Sequence, residues 1–115
     1  KPKKIYLGKN FFSKKYKTLP SGELLYRGMP YKKKLLKESC VSFIEETKTE
    51  ILKDVFIVKN FKRETDYEKN NPIYTVVSTE NHVVDDFSDE IALVIKVENK
   101  ICVFLGCSHP VLLIC

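Results

Sequence analysis

Arginine is scarce in this 115-residue sequence, where Arg27 and Arg63 stand against eighteen lysines. Arginine is the side chain suited to bidentate phosphate contacts. Its scarcity therefore weighs against a nucleic-acid-binding domain, although the formal charge is +5 and comes mainly from lysines before residue 40. Only four glycines are present, and none forms a phosphate-cradling loop. No Gly-x-Ser-x-Gly elbow exists for serine-hydrolase chemistry. The cysteines at 40, 102, 107 and 115 include no Cys-x-x-Cys pair, which argues against a zinc knuckle or ribbon. They are also sparse for a disulfide scaffold, so reduced thiols in a cytoplasmic setting are expected. No apolar run approaches the roughly 20 residues that span a bilayer. Lys1-Pro-Lys-Lys4 is followed by no signal-peptide core, so no membrane partner and no export are expected.

What remains is the composition of one small folded domain, with 43% apolar residues. Its most informative stretch is the C-terminal one. Residues 91–97 and 101–105 are almost wholly aliphatic or β-branched, and Glu98-Asn99-Lys100 separates them. That pattern predicts a hairpin whose strands are buried on both faces, Cys102 included. The second strand must stop at Gly106-Cys107-Ser108-His109-Pro110, because glycine permits a sharp turn and proline cannot continue the ladder. His109, one of two histidines, is thus held just past the end of a strand, where it is well placed to bind metal.

Upstream, residues 5–7 predict a short strand, residues 11–16 one helical turn, and residues 24–26 a further strand. Pro30 suits the first turn of a helix over residues 31–39. Strands are expected at 40–46, 54–58 and 73–77, a long loop at 59–72, and an acidic connection carrying His82, Asp85, Asp86, Asp89 and Glu90. Five or six strands with so little helix cannot cover a sheet on two faces. The apolar end Val111-Leu-Leu-Ile-Cys115 also resembles the first turn of a further helix. Both features lead us to expect a part of a larger fold.

Two motifs resemble a specific family. Asp89-Glu90-Ile-Ala-Leu-Val-Ile95, then Cys102-Val-Phe-Leu-Gly-Cys-Ser-His-Pro110, is similar to the second half of a metallo-β-lactamase-fold hydrolase. The group it resembles is the beta-lactamase superfamily II metal-dependent hydrolases, which includes the dihydropterin ribofuranosyl-aminobenzene phosphate synthases. Phe12-Ser-Lys-Lys-Tyr16, Gly28-Met-Pro30 and the segment from Val58 to Glu68 resemble further family segments in the right order. Departures are plain: Gly8 stands about where a histidine often follows the first strand, and Val111 replaces a glycine. The family's Thr-His-x-His-x-Asp-His motif has no counterpart here.

The resemblance implies an α/β (α+β) fold: a partial metallo-β-lactamase αββα sandwich, mostly a β half-sheet with short helices. Residues 1–115 would be the C-terminal portion of that domain. It implies a divalent metal, zinc, with two ions in the intact parent. His109 would be a metal ligand, and Asp89 a catalytic carboxylate that orients His109 or a metal-bound water. The substrate would be a small molecule, phosphorylated in the related synthases. The missing half of the fold would come from the same or another chain. Each role has a plainer alternative: His109 as the cap of a loop, and Asp89 as a solvated strand-start residue. His82, Asp85 and Asp86 are weaker candidate ligands, Cys107 a small buried residue, and Arg63 with Glu68 either substrate contacts or a surface pair. The rivals to the hydrolase reading are a non-catalytic interaction module with a decayed site and a basic nucleic-acid-binding domain.

Overall fold

The computed structural model describes residues 3–59 and 71–106. Three small sheets and one helix make up this part. β1 (Lys3–Gly8) lies parallel to β4 (Ser39–Ile44), in register from Lys3 opposite Ser39 to Gly8 opposite Ile44. Ile5, Tyr6 and Leu7 face Val41, Ser42 and Phe43, a mostly β-branched and aromatic set that suits a pleated surface. A parallel pair needs a long crossover. Here it contains β2 (Lys15–Thr18), β3 (Leu24–Tyr26) and α1 (Lys32–Glu38).

β3 and β2 join β7 (Tyr74–Ser78) and β8 (Asn81–Val84) in an antiparallel sheet ordered β3-β2-β7-β8. The third sheet is β10-β9-β6-β5, also antiparallel, built from β5 (Lys48–Leu52), β6 (Val55–Val58), β9 (Ala92–Val97) and β10 (Lys100–Phe104). The fold is therefore mostly β with one short helix.

The strands expected near 5–7, 24–26, 40–46, 54–58, 73–77, 91–97 and 101–105 are all present. Three more, β2, β5 and β8, were not expected. β5 grows from the polar Lys48-Thr-Glu and β8 from Asn81-His82, and both are edge strands that owe their conformation to hairpin pairing with β6 and β7. The helical turn expected at 11–16 is a correction: residues 9–13 form turns, and Lys15 and Tyr16 pair with Val76 and Thr75 in the sheet. The expected loop at 59–72 falls almost wholly outside the described residues.

Two-sided burial of the C-terminal hairpin is also corrected. Every residue of β10 is exposed, including Cys102, while β9 is half-buried toward its start. β10 is an edge strand, and its continuous apolar run reflects surface that no described element covers. Among the described residues the buried apolar set is small: Leu7, Ile44, Phe56, Ile57, Phe87 and Ala92. A radius of gyration of 16.0 Å exceeds the roughly 13 Å of a compact domain of this length.

α1 buries no residue. Its N-cap, Tyr31, makes no side-chain cap, and its first turn holds lysines and no acid. It ends where Ser39 turns extended and its N–H closes on the Leu35 carbonyl. The following Cys-Val-Ser-Phe run then favours strand. No described helix is long and apolar enough to cross a membrane.

Candidate functional site

The acidic connection between β8 and β9 is an ordered loop held by two cations from the β2–β3 hairpin region. Asp85 opens it. Its N–H donates to the Tyr74 carbonyl at 2.9 Å, Oδ1 accepts the Phe87 N–H at 2.8 Å, and Oδ2 accepts Arg27 Nη2 at 2.7 Å. The Asp85 side chain is 3% exposed, so the Arg27 guanidinium supplies the charge that a buried carboxylate requires. That guanidinium also lies over the rings of Tyr74 and Phe87, at 4.7 and 5.3 Å from their centroids. Phe87 takes the left-handed region at φ 55°, and its carbonyl accepts the Glu90 N–H at 3.1 Å. Asp86 Oδ1 accepts the Ser88 N–H at 3.0 Å.

Asp89, the expected catalytic carboxylate, pairs with the Lys15 ammonium. Both side chains are nearly buried, at 12% and 11% exposure. Its backbone packs against Gly8: a Cβ built on Gly8 would lie 1.8 Å from the Asp89 carbonyl oxygen. The glycine standing where the family often has a histidine is thus needed here for backbone approach.

The Lys15–Asp89 pair lines two clefts. One, of about 320 Å³, also takes in Asn10, Ser13, Asp86 and Ser88. The other, of about 250 Å³, adds Arg27, Glu90 and Gly106. Gly106, the last of the described residues, thus shares a cleft with Asp89. His109 itself lies outside the described residues, as do Cys107, Ser108, Arg63 and Glu68.

His82 does not join the carboxylates. It is exposed on β8 opposite Val77, with its ring 5.1 Å from Tyr16. Among the described residues no group of three His, Cys, Asp or Glu side chains could hold a metal ion. Asp85 and Asp89 are already neutralised by Arg27 and Lys15. The described residues therefore do not by themselves fit a metal centre.

Sequence reading missed Lys15 and Arg27. Nothing local marks them among twenty cations; only the pairing of β2 with β3 and β7 brings them to the loop.

No family pattern and no curated protein matches the sequence. Among solved structures the chain is similar to Tm1679, a metal-dependent hydrolase of the β-lactamase superfamily. The two are 25% identical, with a TM-score of 0.74 over 95% of this chain. The match covers 40% of the other protein, so this chain spans about two fifths of its length. The likeness supports the β-lactamase superfamily of metal-dependent hydrolases for this chain, and no narrower group within it.

Proposed function

We propose that this chain is part of a metal-dependent hydrolase of the metallo-β-lactamase type, and that its share of the site is the wall carrying Asp89 and His109. The structural likeness to Tm1679 along nearly the whole chain carries the reading. In it, His109 is a ligand of a divalent metal. Asp89, on the cleft that Gly106 also lines, is the carboxylate that positions His109.

In such enzymes a zinc centre, commonly of two ions, activates water for attack. The described residues do not complete that centre, so no reaction step is assigned to them through it. Their part is to hold the loop. Arg27 fixes Asp85, Lys15 fixes Asp89, and Gly8 lets the loop seat against β1. The remaining ligands would come from further polypeptide, of the same or another chain. The substrate would be a small, phosphorylated molecule.

A second reading is a non-catalytic interaction module. The cations that neutralise Asp85 and Asp89 favour it, since a working metal site leaves its carboxylates available. One experiment separates the two. The full-length gene product is assayed for bound divalent metal and for hydrolysis of chromogenic phosphate esters and lactams. We expect metal-dependent turnover that chelation and His109→Ala abolish. A protein that binds no divalent metal and turns over nothing, with zinc or manganese supplied, overturns the hydrolase reading and leaves the module.

A further inference from the structure

The helix α1 is unusual in burying nothing while four of its seven residues are lysine. An isolated helix this short is marginal in water. Its lysines add repulsion, because Lys33 and Lys37 are one turn apart and like charges there destabilise. Lys33, Lys34 and Lys37 make no ion pair with any described residue. The parallel register of β1 and β4 sets exposed Lys3 and Lys4 beside Ser39 and Cys40, at the end of the same helix. Residues 1–40 hold twelve lysines and arginines against two glutamates, so the charge is concentrated on this side of the sequence.

Apolar grooves flank the helix. One, of about 490 Å³, is lined by Phe12, Leu36 and Phe43 with Asn10, Ser13 and Lys32, whose ammonium lies 5.2 Å from the Phe12 ring centroid. The other, of about 350 Å³, is lined by Met29, Tyr31 and Leu35 with Lys34, Glu38 and Ser39. Both fall within the roughly 300–1,000 Å³ of small-ligand pockets. Tyr31 is 68% exposed and Phe43 48%.

We propose that α1 and its two grooves form a docking site for an acidic peptide segment of another protein, one that carries large apolar side chains between its carboxylates. The chemistry discriminates among occupants. A permanent layer of the same fold would bury the ammonium groups, and lysine is depleted from the cores of lasting interfaces. A reversible partner steered by charge keeps them at a solvated rim. A bilayer is flat and cannot follow two concave grooves. A phosphate backbone gains nothing from the apolar linings, and this patch contains no arginine.

The test uses fluorescence anisotropy with the whole chain and a labelled peptide alternating Glu and Asp with Leu and Phe. Controls are the same peptide with Leu and Phe replaced by Ser, vesicles rich in phosphatidylserine, and duplex DNA. Saturable binding is expected, weakening steeply between about 0.05 and about 0.2 M salt. The double variant Lys33→Glu/Lys37→Glu and the single variant Phe43→Ser should each weaken it by roughly tenfold or more, the equivalent of about 1.4 kcal/mol. Circular dichroism of each variant confirms that the fold is kept. Equal binding of the Ser-substituted peptide overturns the proposal, as does tighter binding of vesicles or DNA, or no binding of any probe. Asn10 and Ser13 line both the larger groove and the 320 Å³ Asp89 cleft, but Lys33, Lys37 and Phe43, the residues substituted, line neither Asp89 cleft, so their effect on peptide binding is read separately from hydrolysis.

Discussion

Gly8 and Asp89 are in backbone contact so close that a methyl group at Gly8 would lie 1.8 Å from the Asp89 carbonyl oxygen and 2.6 Å from its carbonyl carbon. Backbone stands on both sides of that gap, so neither can swing aside as a flexible side chain could. Gly8→Ala should therefore destabilise the protein by about 1–3 kcal/mol, the usual cost of overpacking. It should also shift the Asp89 loop. Urea unfolding measures the first effect, and amide chemical shifts at 85–90 the second. A neutral Gly8→Ala variant would show that β1 and the loop do not meet as described.

The Arg27–Asp85 pair gives a second expectation. Truncating Arg27 to Met leaves the Asp85 carboxylate buried with only the Phe87 N–H as its described partner. Removing one member of a buried pair costs about 3–5 kcal/mol. Arg27 is a quarter exposed, so about 2–3 kcal/mol is expected. Asp85→Asn, which keeps an acceptor for the Phe87 N–H, should cost less. If Arg27→Met and wild type unfold at the same urea concentration, the pair is solvated and does not hold the loop.

The β7–β8 hairpin turns on Thr79 and Glu80, both in the left-handed region at φ 45° and 72°. With Ser78 opposite Asn81, this is a two-residue loop of the type that prefers Asn-Gly. A β-branched residue at positive φ is strained. Thr79→Asn with Glu80→Gly should stabilise by about 1 kcal/mol, after the entropy cost of glycine. That is a rise of several degrees in Tm, readable by calorimetry. An unchanged or lower Tm would contradict the turn geometry.

That hairpin also shows why part of the fold was hidden in the sequence. Asn81-His82 and Lys48-Thr-Glu lack an apolar period, and no Asn-Gly announces the turn, so β8 and β5 were invisible to patterning. The long aliphatic runs behaved differently. Ile91 to Val97 and Ile101 to Leu105 declared their strands correctly, but apolar continuity cannot say what lies over them. The site was legible only as a carboxylate loop beside a strand end. Lys15 and Arg27 reach Asp89 and Asp85 across 74 and 58 positions of sequence, which no local pattern encodes.

The sheet β10-β9-β6-β5 supports a prediction about association. On one of its faces Leu52, Val55, Ile57, Leu93, Ile95, Cys102 and Phe104 follow one another by register. Leu52 and Phe104 are 68% and 56% exposed. Beside them no described strand pairs with the outer edge of β10, and such an edge is a template for strand addition. The isolated chain should self-associate, and Phe104→Lys or Val103→Lys should lower that tendency. Sedimentation velocity decides it. A sharp monomer at all concentrations, with slow hydrogen exchange across 101–104, would mean that this face is covered.

Metal binding by the 115-residue chain alone is the last expectation. A lasting zinc site takes about four ligands in tetrahedral order. The described residues offer no cluster of even three, and Asp85 and Asp89 are committed to cations. Lys15 sits on Asp89, so zinc would have to displace an ammonium from a site with little access to water. Arg27 does the same for Asp85. His82 is turned toward Tyr16, on the neighbouring sheet surface. Even if His109 were added as a ligand, one imidazole and one committed carboxylate would fall short of a tetrahedral shell. Calorimetric titration with zinc should therefore show only weak binding, micromolar or poorer, and His109→Ala should change it little. A one-to-one site of sub-micromolar affinity that His109→Ala abolishes would mean that the chain completes its own metal centre, and that Asp89 gives up Lys15 to do so.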